Sequence, residues 1–273
     1  MNEVMTIGTP IWSYNEIEQH LEEFLEIYKK RPIQDNQGGM KTPHMFAVWY
    51  IAKTIKPDLI VESGVWKGQS TWLLEQACPT AKIISIDLDL SKREYISNSL
   101  NVTYSDSDFD EQNWTSIPDN SLAFFDDHQN AYNRLKQCSW YGFKHTIFED
   151  NYPVKQGDCY SLKKAFSGSG FNDSSHLKNH SFFQKVFSRL EGRDKITEVQ
   201  PNNFDSNLLH KHLEIYSEFP PIFKSKYTRW SDEWEDKHYP TPPPVLTEFE
   251  NIDYKIYQEE AMFYTWICYA KLK

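Results

Sequence analysis

Cysteine is scarce in this 273-residue chain: Cys78, Cys138, Cys159 and Cys268 share no paired spacing, which argues against a zinc cluster or a disulfide framework and predicts reduced, buried thiols. No stretch approaches the roughly 20 consecutive apolar residues of a membrane helix. Met1, Asn2, Glu3 and Val4 lack the basic start and apolar run of a secretory signal. The expectation is a cytoplasmic protein with no membrane partner. Basic residues are also few: 29 Lys and Arg stand against 39 Asp and Glu, a net charge of −10. Nucleic-acid binding relies on cations to neutralise phosphates, so a polynucleotide partner is disfavoured and a small-molecule substrate is expected. There is no internal repeat, and the full three-glycine dinucleotide fingerprint is missing.

What is present suits one large core with appendages, with 39% hydrophobic and 25% charged residues. The oligomeric state stays open, a homodimer being admissible. Aromatic residues reach 15%, and Tyr227, Trp230, Trp234 and Tyr239 form a group better read as core packing than as a ligand surface.

Residues 13–31 read as an amphipathic helix, with Ile17, Leu21, Phe24, Leu25 and Tyr28 at helical spacing, a capping box from Ser13 to Glu16, and Pro32 as the stop. A second helix is expected over 43–55, with Met45, Phe46, Trp49, Ala52 and Ile55 on one side. From residue 57 short apolar runs alternate with helical stretches, the pattern of β-α units and a parallel sheet. Strands are expected at 58–62, 82–86, 101–104, 122–125 and 145–148, with helices at 69–77 and around Tyr132 to Ser139, the latter ending near Gly142. Regularity is lost after Pro153, where Ser167 to Gly170 reads as a flexible loop and the stretch to Phe219 as polar with one helical segment. Residues 252–258 and 262–269 then alternate like an antiparallel hairpin.

The fold class predicted is α/β: a Rossmann-like, doubly wound, mostly parallel sheet with a C-terminal antiparallel hairpin. Residues 1–56 form a helical cover, 57–153 with 246–273 the core, and 154–245 an insertion expected to act as a substrate-side lid.

A strand ending at Glu62, then Gly64 and Gly68, then a helix opening at Gln69, Ser70 and Thr71, brings a ligand close to bare peptide groups at a helix N-terminus. Such a turn also occurs as a purely structural bend. Asp87, nineteen residues beyond Gly68 at the tip of the second strand, is placed to accept hydrogen bonds from ribose hydroxyls, with a helix N-cap as the lesser alternative. Asp106 and Asp108 follow the third strand, where an acid could meet an adenine amino group.

The segment from Val61 to Thr71 followed by Ile86 and Asp87 resembles the first two motifs of class I S-adenosylmethionine-dependent methyltransferases. It is most similar to the Glu-x-Gly-x-x-x-Gly-x-Ser variant of catechol-type enzymes and of the group containing macrocin O-methyltransferase and the cephalosporin hydroxylases. The resemblance covers about residues 43–153. It implies that Glu62, Gly64, Gly68 and Ser70 hold the methionine part of S-adenosylmethionine, and that Asp87 holds the ribose.

Two further strand tips, Asp126-Asp127-His128 and Glu149-Asp150-Asn151, should emerge on the same sheet edge as Gly64. Carboxylates gathered there repel one another, and a hard divalent cation relieves that repulsion; magnesium is the first expectation, with manganese and calcium admissible. The resemblance implies metal ligands at both tips: Asp126 or Asp127 from the first, and Glu149 with Asp150 or Asp150 with Asn151 from the second. Asp126 is also placed to touch the methyl donor. His128 and Asp127 are the catalytic candidates, with His128 as general base.

The function expected is a metal-assisted O-methyltransferase of a small hydroxylated molecule, such as a sugar or glycosylated metabolite. Three rivals stand beside it. Tyr160 and Lys164 satisfy the Tyr-x-x-x-Lys pattern of nicotinamide-dependent reductases, an iron hydroxylase would use His128 with nearby acids, and a non-catalytic nucleotide-binding protein could keep the same fold.

Overall fold

The structure is a computed structural model that describes residues 4–169, 203–249 and 251–273. Ser13 caps the first helix, α1 (Tyr14–Gln19), through the expected box with Glu16; a break at His20 separates it from α2 (Leu21–Tyr28). Pro43 opens α3 (Thr42–Ile55), and Lys56 in left-handed conformation ends it. Every residue of α3 from Thr42 to Ala52 is buried, so the helix is covered on all sides and not on one alone. Phe24, Phe219 and Tyr257 pack around its Phe46.

The core alternates β1 (Leu59–Ser63), α4 (Gln69–Ala77), β2 (Lys82–Ile86), β3 (Val102–Ser105), β4 (Ser121–Phe125), α5 (Ala131–Tyr141) and β5 (His145–Phe148). The rest of the described chain adds α6 (Leu162–Phe166), α7 (Phe204–His212), β6 (Leu213–Glu218), α8 (Lys255–Glu259) and β7 (Cys268–Leu272). Seven strands form one sheet in the order β3-β2-β1-β4-β5-β7-β6, the first five parallel and the pairs β5/β7 and β7/β6 antiparallel. This is the Rossmann-like fold expected. The central strands β1 and β4 are buried along their whole length, as parallel strands covered on both faces must be, whereas β3 at the edge is only partly covered. Helices α3 and α4 close one face and α5 and α6 the other, giving two apolar layers. The chain winds outward from β1 on both sides, so the switch point lies at the C-terminal tips of β1 and β4, where open α/β sheets bind ligands.

Two expectations need correction. The crossovers from β2 to β3 and from β3 to β4 contain only 3-10 turns, Leu90–Lys92 and Phe109–Glu111, in place of helices. The antiparallel pair is present, but its strands are β6 and β7 and not a 252–269 hairpin. Residues Ile252–Tyr254 and Lys255–Glu259 are helical because Asn251 caps the first turn and Tyr257 is drawn into the α2/α3 aromatic layer, its hydroxyl donating to the Leu21 carbonyl. The strand β6 lies within the stretch read as an insertion; its Glu218 is buried against Lys163, 2.6 Å away.

Ser167 follows α6 in a turn, while Gly170 and the polar run to residue 202 lie outside the described residues. Trp230, Trp234 and Tyr239 pack around the buried Trp266, as core packing predicts, and Tyr227 stays exposed. All four cysteines are free and buried. No helix among the described residues is long and apolar enough to cross a membrane.

Candidate functional site

The turn after β1 needs a residue without a side chain: Gly64 has φ +100°, and a Cβ there would overlap the carbonyl oxygen of Asp126 at the tip of β4. The two tips therefore touch. Asp87 completes the turn, one carboxylate oxygen accepting from the amides of Val65 (2.9 Å) and Trp66 (2.7 Å) and the other from the amide of Asp89 (2.9 Å). Its place at the end of β2 thus shapes the turn as well as facing the space above it.

That space is a cavity of about 420 Å³. Gly64, Ser70, Asp87, Asp108, Asp126, Asp127 and His128 line it, together with Asn36, Gly38, Gly39 and Met40 from the N-terminal cover and with Trp66 and Arg134. Gly68, Asp106 and Glu62 are not among its walls. Gly68 instead opens α4 as its N-cap, and Asp106 is exposed. Glu62 is fully buried behind the turn, where Oε2 accepts from Thr71 (2.6 Å) and Ser85 (2.6 Å) and ties β1, α4 and β2 together. Burial raises its pKa, and its Oε1 has no partner among the described residues. Its part is to fix the strand behind the turn, one residue back from the cavity wall at Ser63.

Arg134 is a member of the site that motif reading passed over. Its buried guanidinium donates from Nε to Asp127 (2.9 Å) and from both Nη atoms to Asp108 (3.1 and 2.5 Å). Asp127 also accepts from the Ser63 hydroxyl (2.8 Å) and the Gln129 amide (3.1 Å). Both oxygens are thus tied to the scaffold, Oδ2 by Ser63 and Arg134 and Oδ1 by Gln129, and Asp127 is absent from the group with metal-ligand spacing around Asp126. The signal for Arg134 was a lone cation on the helix after β4, between two acidic tips.

A second, smaller pocket of about 70 Å³ adjoins the first, sharing Gly38, Gly39, Met40, Asp126 and His128 and adding Lys41, His44, Glu149, Asp150, Arg229 and Phe263. Ligand atoms of Asp126, His128 and Asp150 lie within 4.8 Å of one another. Burial and the neighbouring Glu149 and Asp150 push the Asp126 carboxyl well above the usual carboxylate range. Burial, with Glu149, raises Asp150 to about 6. Asn151 is no part of this group: it is buried, its amide nitrogen donating to the Tyr216 hydroxyl (2.9 Å) and its oxygen accepting from the Lys163 amide (2.9 Å).

His128 sits in left-handed conformation with Nδ1 at hydrogen-bonding geometry to Asp158 (3.1 Å). The same nitrogen lies 3.0 Å from Asp150 Oδ2, but that oxygen has no aligned donor among the described residues. Beside Asp150 and Asp158 the imidazole pKa is pushed up to about 12, so His128 carries its proton while those acids hold no cation.

His44, left aside in the sequence reading, is the residue that orients Glu149. Its Nε2 accepts from the Thr265 amide (2.8 Å), so its proton resides on Nδ1, which donates to Glu149 Oε1. No local pattern marks it, since α3 and β5 meet only in the folded chain. Tyr160 and Lys164 are engaged elsewhere, the first donating to Asp205 (2.8 Å) and the second to the Cys159 carbonyl (2.8 Å), which removes the reductase pattern. Among the described residues, neither group with metal-ligand spacing contains two histidines, so an iron-binding facial triad is not formed.

No model of a known protein family matches the chain, and no curated protein matches it. Solved structures do. The SAH form of CmcI is 25% identical over 41% of this chain and 62% of its own length, with a TM-score of 0.36. The Mg-SAM form of CmcI is 26% identical over 44% and 58%, with a TM-score of 0.35. SAH-bound methyltransferase PaMTH1 from Podospora anserina is 14% identical over 52% and 73%, with a TM-score of 0.36. The matches span about three fifths of the two CmcI chains.

Proposed function

We propose that the chain is an S-adenosylmethionine-dependent, metal-assisted O-methyltransferase acting on a small hydroxylated molecule, with a sugar or glycosylated metabolite as the narrower reading. The observation that carries this is the adjoining of two pockets. One is walled by the Gly64 turn and Asp87, as an adenosine-bearing donor requires, and the other by carboxylates, with Asp126 and His128 common to both.

The residues of the smaller pocket suit a divalent cation. Asp126, Glu149 and Asp150 converge there, the carboxyls of Asp126 and Asp150 are raised by burial and by the neighbouring acids, and the buried Asp150 Oδ2 lacks an aligned donor. Asp126, Glu149 and Asp150 would hold the ion; bound, it supplies a Lewis acid that lowers the pKa of an acceptor hydroxyl and fixes its oxygen. The chain does the rest by placement. Asp87 and Asp108 face the donor side, His44 keeps Glu149 oriented, and His128 holds an exchangeable proton where the pockets meet, aligned by Asp158. The N-terminal segment and the 154–245 stretch contribute Gly38 to Lys41 and Arg229 to the walls, consistent with a cover on the substrate side.

Calorimetry with S-adenosylmethionine, S-adenosylhomocysteine and NADH, each with and without magnesium, tests the reading. Binding of both methyl-cycle compounds and not of NADH is expected. NADH binding with no response to either of the others would overturn it.

A further inference from the structure

The acidic pocket carries two cations that the proposed metal and methyl chemistry does not use. Arg229 and Lys41 line it beside Glu149 and Asp150, yet among the described residues neither side chain makes a hydrogen bond or an ion pair. A guanidinium placed there only to neutralise the acids would pair with them, since a bidentate Arg–carboxylate contact is the strongest available to it. Arg229 does not, although it is close enough for its charge to act on both His44 and Tyr152.

Its position is built. Arg229 stands at the tip of a tight reversal in which Tyr227 bridges Glu233, the Thr228 amide donates to the Asp232 carbonyl (2.9 Å), and Ser231 takes a left-handed φ of 68°. The next residue, Trp230, anchors the tip, its ring 5.5 Å from that of Tyr152 and stacked on Trp266. Gln156 donates to the Asp232 carboxylate (3.0 Å) and ties the reversal to the loop after β5. The backbone of Arg229 is thereby fixed at a pocket whose floor is acidic, while its five-donor side chain is exposed and, among the described residues, makes no hydrogen bond or ion pair.

We infer that Arg229, with Lys41 lining the same pocket, recognises an anionic group on the substrate, a carboxylate or a phosphate, while the carboxylates below it handle the acceptor hydroxyl. The substrate class is then a hydroxy acid or a phosphorylated polyol, and not a neutral sugar. This rests on the function proposed above and narrows it. Guanidinium favours both anions through paired N–H donors, so the two sources are separated by experiment.

The test is calorimetry on the full chain with magnesium and S-adenosylhomocysteine, titrating D-glucuronate, D-glucose 6-phosphate and D-glucose in parallel. At least one anion is expected to bind ten-fold or more tightly than glucose, and which one identifies the charged group. Arg229→Gln is expected to erase that preference while leaving melting temperature and S-adenosylhomocysteine affinity unchanged, and Arg229→Lys to restore part of it. Glucose binding as tightly as both anions, no anion binding, or a preference that survives Arg229→Gln would each overturn the inference. Failure of the methyltransferase reading shows separately, as absence of S-adenosylhomocysteine binding by the unaltered chain; the anion titrations are then run without it and still read Arg229.

Discussion

His44 reaches Glu149 with a proton whose location the backbone decides. Because the Thr265 amide donates to Nε2, the imidazole can only donate from Nδ1, and a fully buried neutral ring results, its pKa lowered by burial to about 3. The unfolded chain has an ordinary histidine near 6.5, so between these values the unfolded state binds the extra proton and acid costs stability. The contribution is intact above pH 6.5 and falls as pH drops toward 3. His44→Asn keeps a donor near Nδ1 without the titration. Urea unfolding at pH 7 and pH 5 should show the unaltered protein losing about 2 kcal/mol more than His44→Asn over that interval. An equal loss in both would mean that the ring is charged in the fold.

Arg134 supports a second prediction. It is the shared partner of Asp127 and Asp108, and its side chain is 6% exposed. Removing it leaves two acids facing each other without compensation, one of them nearly covered. Arg134→Met should cost about 3–5 kcal/mol, and Arg134→Lys should recover little because an ammonium cannot serve both carboxylates in the fork geometry. Thermal melts of the two variants decide this, and a full rescue by lysine would reduce the guanidinium to a simple charge.

The sheet and the glycine turn were legible because their signals are local. A buried parallel strand is an apolar run, and Lys82–Ile86 and His145–Phe148 begin and end where the sequence pattern places them. The convergence of Gly64, Asp87 and Asp126 follows from parallel order alone. What was not legible depends on partners remote in sequence. Tyr257 alternates plausibly as strand, yet it is captured as helix by the α2/α3 aromatic layer; β6 looks polar because Glu218 is buried only by virtue of Lys163. Asp127 and Asn151 carry ligand chemistry in isolation, and in the fold lose part of it to Arg134 and Tyr216.

That loss separates the two ligand sets at the β5 tip. If magnesium is held by Glu149 and Asp150, Asp150→Asn should abolish the magnesium-induced rise in melting temperature, since ligand binding to the native state alone is what produces it. Asn151→Ala should behave otherwise. It strands the Lys163 amide and removes the hydrogen bond that the Tyr216 hydroxyl accepts, and should lower stability by about 1–3 kcal/mol, while the magnesium response persists. A melt series in magnesium and in EDTA reads both, and the reverse pattern would move the ligand set to Asp150 with Asn151.

Gly64 links the turn after β1 to the tip of β4, the two places proposed for donor and metal, and alanine substitution there tests the coupling. Two costs are expected: a left-handed φ, and overlap of the new Cβ with the Asp126 carbonyl. Gly142, which ends α5, isolates the first, because its φ is +94° and nothing lies within 4 Å of a Cβ built there. Gly142→Ala should therefore cost about 1–2 kcal/mol and leave binding untouched. Gly64→Ala should cost more, and because the overlap can be relieved only by shifting the β4 tip, it should weaken S-adenosylhomocysteine and magnesium binding together. Calorimetry for each ligand with each variant gives the answer: equal losses of stability, or a Gly64→Ala protein that loses one ligand and keeps the other, would show that the two tips move independently.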